Sequence, residues 1–232
     1  MITLRKAQER FHTRIDWLDS WHTFSFGEHH DPRHMGFGPL RVINDDRIAG
    51  GGGFPTHGHR DMEIITIVLE GALAHKDSMG NGSVIMPGDV QKMSAGTGIH
   101  HSEFNADPKK PVHLLQIWIL PNAHVKPEYQ QVRVEPSQTL DRFGLVASGA
   151  NEKGVISLHQ DASIEMAELS AGKSTEYRFG QDRNIWVHVA SGALQMNGHT
   201  LKEGDGAAVT KETALAFKAE SQSQVLLFNM GN

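Results

Sequence analysis

Cysteine is absent from the 232-residue chain. That removes disulfide scaffolds, cysteine-ligated zinc or iron–sulfur sites, and thiol nucleophiles. A long apolar run is missing too: none approaches the ~18 residues of a membrane-spanning helix. The opening segment from Met1 to Arg14 is charged and has no apolar stretch of the kind a secretory leader carries. Nor is there a basic excess. The 22 Lys and Arg stand against 27 Asp and Glu, a net charge of −5, so phosphate counterions have little to displace them and direct nucleic-acid binding is not expected. These absences predict a soluble, cytoplasmic protein. Against them stand two abundances, 24 glycines and 15 histidines.

The glycines punctuate short apolar runs. Leu40–Asn44, Met62–Leu69, His113–Leu120, Ile185–Ala190 and Gln224–Asn229 read as strands. Between such runs lie turn signals at Asn44-Asp45-Asp46, Met79-Gly80-Asn81-Gly82, Pro87-Gly88-Asp89 and Asn197-Gly198. No segment keeps a 3.6-residue apolar period for long, and Arg5–Arg10 and Lys109–Val112 hold at most a helical turn or two. The expected class is all-β, in sandwiches or barrels. A weak repeat divides it. Leu69-Glu70-Gly71-Ala72-Leu73 is echoed by Ala190-Ser191-Gly192-Ala193-Leu194, an offset of 121 residues, and Gly-Asp steps follow at Gly88-Asp89 and Gly204-Asp205. Two copies of one β unit would produce this pattern. Glu128–Ala150 reads as their connection. Counting fourteen residues back from each repeat glycine lands on His57 in the first copy and Arg178 in the second.

Two histidine-bearing segments stand out. One is His57-Gly58-His59-Arg60-Asp61-Met62-Glu63; the other is Gly96-Thr97-Gly98-Ile99-His100-His101-Ser102-Glu103. In a strand, residues i and i+2 share a face, so His57 converges with His59 and His101 with Glu103, while His100 points away. Three imidazoles and a carboxylate suit a divalent first-row ion. Such an ion retains positive charge and attracts an anionic oxygen, such as an enolate. Glycines at 50–53, 96 and 98 leave room for turns and a ligand at a barrel rim. By the same alternation Glu63 also faces inward, so either Glu63 or Glu103 is the fourth ligand, with the other outside the ligand set or acting as a base. His29, His30 and His34 read as a loop folding over the barrel. His75, His113, His188 and His199 read as isolated, hydrogen-bonded residues. Met35, Met79, Met86, Met93 and Met166 read as packing. Phe24, Phe26, Phe37, Phe104 and Trp118 are candidates to wall a pocket for a flat phenolic molecule.

His57-x-His59 after a glycine-rich approach, and Gly98-x-x-His101-x-x-x-Asn105, resemble the two motifs of the cupin superfamily. Trp21-His22-Thr23-Phe24-Ser25-Phe26-Gly27, the segment from Met35 to Asp46, His75-Lys76-Asp77-Ser78 and Leu115-Gln116-Ile117-Trp118 narrow the resemblance to the pirin family, over residues 1 to about 125. The chain departs from the superfamily pattern at Gly96, where many cupins carry proline, and in having His100 beside His101. The resemblance implies a bicupin, with a metal-binding barrel over 1–127 and an empty barrel over 128–232. It implies the ligands His57, His59, His101 and Glu103, and Fe(II) as the ion, with Mn, Co, Ni, Cu and Zn as alternatives. It also implies a quercetin 2,3-dioxygenase acting on a flavonol and O2, with Glu103, or else Glu63, taking the substrate proton. Two other readings compete: a metal-binding regulatory protein that works through a protein partner, and a cupin enzyme for another enol.

Overall fold

The computed structural model describes residues 1–150 and 152–231. Strands dominate, and most are short because turn residues interrupt the apolar runs. In chain order the first twelve are β1 (Ile2–Arg5), β2 (Phe11–Ile15), β3 (Leu18–His22), β4 (Leu40–Ile48), β5 (Gly53–His59), β6 (Glu63–Glu70), β7 (Leu73–Asp77), β8 (Gly82–Ile85), β9 (Asp89–Ser94), β10 (Ile99–Asn105), β11 (Val112–Ile119) and β12 (Glu128–Arg133). Then follow β13 (Gly144–Ser148), β14 (Ile156–Ser157), β15 (Ala162–Leu169), β16 (Ser174–Arg178), β17 (Arg183–Ser191), β18 (Ala193–Met196), β19 (His199–Lys202), β20 (Gly206–Val209), β21 (Ala214–Ala219) and β22 (Ser223–Gly231). Helix is confined, among the described residues, to the single turns Ala7–Glu9, Pro32–His34 and Pro136–Thr139. None is long and apolar enough to cross a membrane.

The chain forms two compact units, one of residues 11–133 and one of residues 1–10 with 134–232. Each is a seven-stranded sheet with a four-stranded one. The first unit has the orders β12-β9-β6-β11-β4-β3-β2 and β5-β10-β7-β8; the second has β1-β20-β17-β22-β15-β13-β14 and β16-β21-β18-β19. The four-stranded sheets correspond strand for strand, and the large sheets do so from β9 to β3 against β20 to β13, as expected of two cupin barrels; at one edge they differ, since β2 pairs antiparallel with β3 and β14 parallel with β13. The repeat glycines sit at equivalent turns with φ of +81° at Gly71 and +80° at Gly192. A side chain at Gly71 would strike the Pro111 carbonyl, and one at Gly192 the Gln222 carbonyl. At both turns the fold requires glycine.

Three sequence expectations shift. The division at 127/128 moves, because β12 pairs with β9 and so completes the first unit's large sheet, while β1 pairs with β20 and completes the second's. Glu128–Ala150 is therefore not simply a connection; it contains β12, a helical turn and β13. Asn44-Asp45-Asp46 is not a turn either. It lies inside the nine-residue strand β4, where all three residues are buried. Asn and Asp favour turns because their side chains compete for backbone hydrogen bonds, but here both neighbouring strands, β3 and β11, claim that backbone.

Candidate metal centre

β5 and β10 are antiparallel neighbours, with His57 opposite His101 and His59 opposite Ile99. Alternation along β10 buries Ile99, His101, Glu103 and Asn105 and turns His100 and Phe104 outward. His57 and His59 stand on the same face of β5. One ring nitrogen from each of His57, His59 and His101 lies within 4.8 Å of the others. A second group, His75, His101 and Glu103, meets the same limit and is buried throughout. His101 belongs to both, and Glu103 reaches the cluster through it. His75 was missed as a member of this site, although it stands directly opposite Glu103 on β7.

The geometry fits a cation. His57 Nδ1 lies 2.8 Å from the Pro55 carbonyl, which fixes its N–H there and leaves Nε2 as a lone pair. That Nε2 is 3.0 Å from His101 Nε2. Two imidazole nitrogens at that spacing could both reach one divalent ion with metal–nitrogen bonds of about 2.1 Å. Nδ1 of His101 and Nδ1 of His75 are buried without a hydrogen-bond partner among the described residues. Burial, then the neighbouring His57, lowers the pKa of His59 to about 4. Burial, then His57, His59 and His75, holds His101 further below the imidazole range. Both rings therefore stay neutral and offer lone pairs at physiological pH.

Glu103 is 2 % exposed. Before any cation binds, burial pushes its pKa up to about 7 against the hydrogen bond from Gln116. That bond runs from Gln116 Nε2 to Glu103 Oε2 at 2.7 Å, and Gln116 Oε1 in turn accepts from Trp118 Nε1 at 3.2 Å. Glu63 is elsewhere. It is fully buried, accepts from Ser94 at 2.8 Å and faces the equally buried Lys92 at 3.4 Å. The alternation count fails for Glu63 because the chain turns at Asp61, with φ of +51°, and leaves β5 for a strand of the other sheet. It belongs to neither histidine group, so nothing here supports it as a fourth ligand or as a base.

A cavity of about 590 Å³ opens onto His57, His59 and Glu103, within the range of small-molecule sites. Phe26 and Trp118 line it, edge to face at 5.4 Å, and Trp118 also meets the His59 ring at 5.0 Å. Three of the proposed aromatic walls do not line it. Phe24 is buried in packing, Phe37 bridges to Leu40, and Phe104 is 41 % exposed on the outward face of β10. Polar residues that sequence reasoning passed over complete the wall, notably Ser20, His22, Asn44 and Asp46.

The second unit serves as an internal control. Leu73 faces Asn105 and its counterpart Leu194 faces Ala219; two residues along, His75 faces Glu103 and Met196 faces Phe217. Glu103 therefore corresponds to Phe217, His75 to Met196, and His101 to Leu215. His101 faces His57 as Leu215 faces Tyr177, while Phe179, bonded to Thr213, stands where His59 faces Ile99. The fourteen-residue count gave Arg178; the register moves that equivalence by one residue, to Tyr177. His57, His59, His75, His101 and Glu103 are thus each replaced by an apolar or aromatic residue in the second barrel, packed in or against one core cluster. The barrel does not need histidines at these places to fold.

Comparison with known proteins agrees with this division. Residues 4–119 match the Pirin family model, and residues 145–230 match the quercetinase C-terminal cupin domain. A protein from Escherichia coli strain K12 named quercetin 2,3-dioxygenase is 45% identical over 231 residues, covering 99% of this chain and 99% of its own. The crystal structure of YhhW from Escherichia coli superimposes with a TM-score of 0.94 at 45% identity, covering 99% of this chain and 97% of that one. A crystal structure of the bacterial pirin YhhW in complex with nickel(II) does so at 0.94 and 44% identity, covering 100% and 99%. From its paired barrels to the histidine cluster in the first of them, the chain belongs to the pirin family.

Proposed function

We propose that the chain is a metal-dependent dioxygenase that opens the heterocycle of a flavonol such as quercetin with O2 and releases carbon monoxide. The observation that carries this is the internal control: one fold, used twice, holds His57, His59, His101 and Glu103 in the copy with a cavity and Tyr177, Phe179, Leu215 and Phe217 in the other. The relatives named quercetin 2,3-dioxygenase and the nickel-bound pirin support the same reading. His57, His59 and His101 would hold one divalent ion, with Glu103 beside His101 completing the donor set. Nitrogen and oxygen donors accept Fe(II) and its first-row neighbours alike. When bound, such an ion supplies Lewis-acid stabilisation of enolate charge and redox access to dioxygen.

The chain's own groups do the rest. Glu103 accepts the proton of the substrate's 3-hydroxyl. Gln116 donates to Glu103 Oε2 and holds the carboxylate in place. Trp118 and Phe26 orient a flat ring edge to face. The test is oxygen uptake together with loss of flavonol absorbance by the metal-loaded protein. Glu103→Gln keeps the shape and the Gln116 contact and should lower kcat by about 10²-fold or more. Absence of turnover with every first-row ion would instead favour a binding role without catalysis.

A further inference from the structure

The wall of the cavity built by the large sheet carries polar residues where a barrel interior is ordinarily apolar. β11, β4, β3 and β2 are consecutive in the large sheet, and their register builds two rungs. Gln116 lies opposite Asn44, and Asn44 opposite His22; Asp46 lies opposite Ser20, and Ser20 opposite Thr13. Ser20, His22, Asn44 and Asp46 are each no more than 3 % exposed, yet all line the cavity. Hydrogen bonds join the rungs. His22 Nδ1 donates to Asn44 Oδ1 at 2.8 Å, its Nε2 accepts from Thr13 at 2.9 Å, and Ser20 donates to Asp46. His29 at the lip reaches Thr13 at 3.0 Å.

The second barrel again shows what the fold requires. By register and by the 121-residue offset, Asp46 corresponds to Ala167 and Asn44 to Glu165; His22 corresponds to Leu145 and Gln116 to Leu227. Three of these four equivalents are apolar, so the polar groups of the first barrel are not a condition of folding. Burying them costs free energy that an apolar wall would avoid. We infer that Ser20, His22, Asn44 and Asp46 form a second subsite, which binds phenolic hydroxyls of the substrate other than the enol. The inference rests on the proposed flavonol chemistry and adds the feature by which the enzyme selects among flavonols. Because the wall groups already pair with one another, an analogue without hydroxyls strands few of them. The discrimination is therefore about ten- to hundred-fold, rather than the ~10⁴ of a site left wholly unpaired.

The experiment compares quercetin with 3-hydroxyflavone, which shares its enol-ketone head and has no other hydroxyl. Anaerobic titration of the metal-loaded protein gives Kd, and aerobic turnover separates KM from kcat. Transfer from water alone favours the less polar 3-hydroxyflavone, so tighter binding of quercetin by ten-fold or more is the expected and diagnostic result. His22→Leu and Asp46→Ala, each installing its second-barrel counterpart, should bring the ratio of the two Kd values toward one, with the change carried in KM and the bound metal retained by elemental analysis. Equal or reversed affinities in the wild-type protein, a measurement that needs no variant, would overturn the inference and leave the dioxygenase reading standing. Absence of binding by either flavonol would overturn that reading, and the inference with it.

Discussion

Replacing His101 by leucine, the residue its barrel-two counterpart already uses, separates a ligand from a packing residue. His101 is 2 % exposed, with Nδ1 buried and without a hydrogen-bond partner among the described residues and Nε2 3.0 Å from His57 Nε2. Removing an unsatisfied buried nitrogen is worth about 1–3 kcal/mol, and losing the imidazole contact costs about 1. The net is a gain of about 1 kcal/mol, or roughly 3 °C in Tm for a chain of this size. With metal the order reverses. A ligand at a thousand times its Kd stabilises the native state by about 4 kcal/mol, roughly 12 °C, and only the wild type receives it. Thermal unfolding of both proteins, with chelator and with saturating Fe(II) or Ni(II), should therefore cross over. The reasoning is refuted if His101→Leu is less stable than wild type in chelator by more than about 2 kcal/mol, or if both gain equally from metal.

Two further outcomes follow from buried carboxyl groups. Glu63→Gln removes one of the two carboxylates that face Lys92, leaving Glu128 at 3.5 Å, and should cost about 1–3 kcal/mol of stability while metal content stays at the wild-type level; loss of metal would return Glu63 to the ligand set. Glu165, 8 % exposed, accepts from Tyr177 at 2.9 Å and Ser163 at 2.8 Å, and burial pushes its pKa up to about 7. Its neutral form is the one the fold favours, so this contribution is complete below the ordinary carboxyl range and is lost as pH rises through about 7. Glu165→Gln should thus flatten the fall in stability between pH 5 and 8, by roughly 3 kcal/mol at most; urea unfolding at the two pH values measures it, and an unaltered slope would contradict it.

Much of the site was legible from alternation alone. His57 with His59, and His101 with Glu103, share faces because each pair lies within one strand. The same rule, applied to Phe104, puts it opposite His101 and Glu103, where the structure has it exposed. Alternation misled at Glu63 because a positive-φ turn at Asp61 moves the chain into another sheet, and parity does not carry across such a turn. His75 was within reach, since the repeat offset pairs it with Met196, and a histidine that replaces a buried methionine asks for a reason. Asn44 and Asp46 were hidden by their own chemistry: their turn preference is real, and only the two flanking strands overrule it. Which aromatic residues face the cavity depends on loop packing that no local pattern encodes.

The central claim is that one divalent cation sits among the imidazoles of the first barrel and none in the second. Elemental analysis of the purified chain beside His57→Ala tests it most directly. The account predicts close to one first-row ion per chain in the wild type and almost none in the variant. Undiminished metal in His57→Ala, or two ions per wild-type chain, would contradict it.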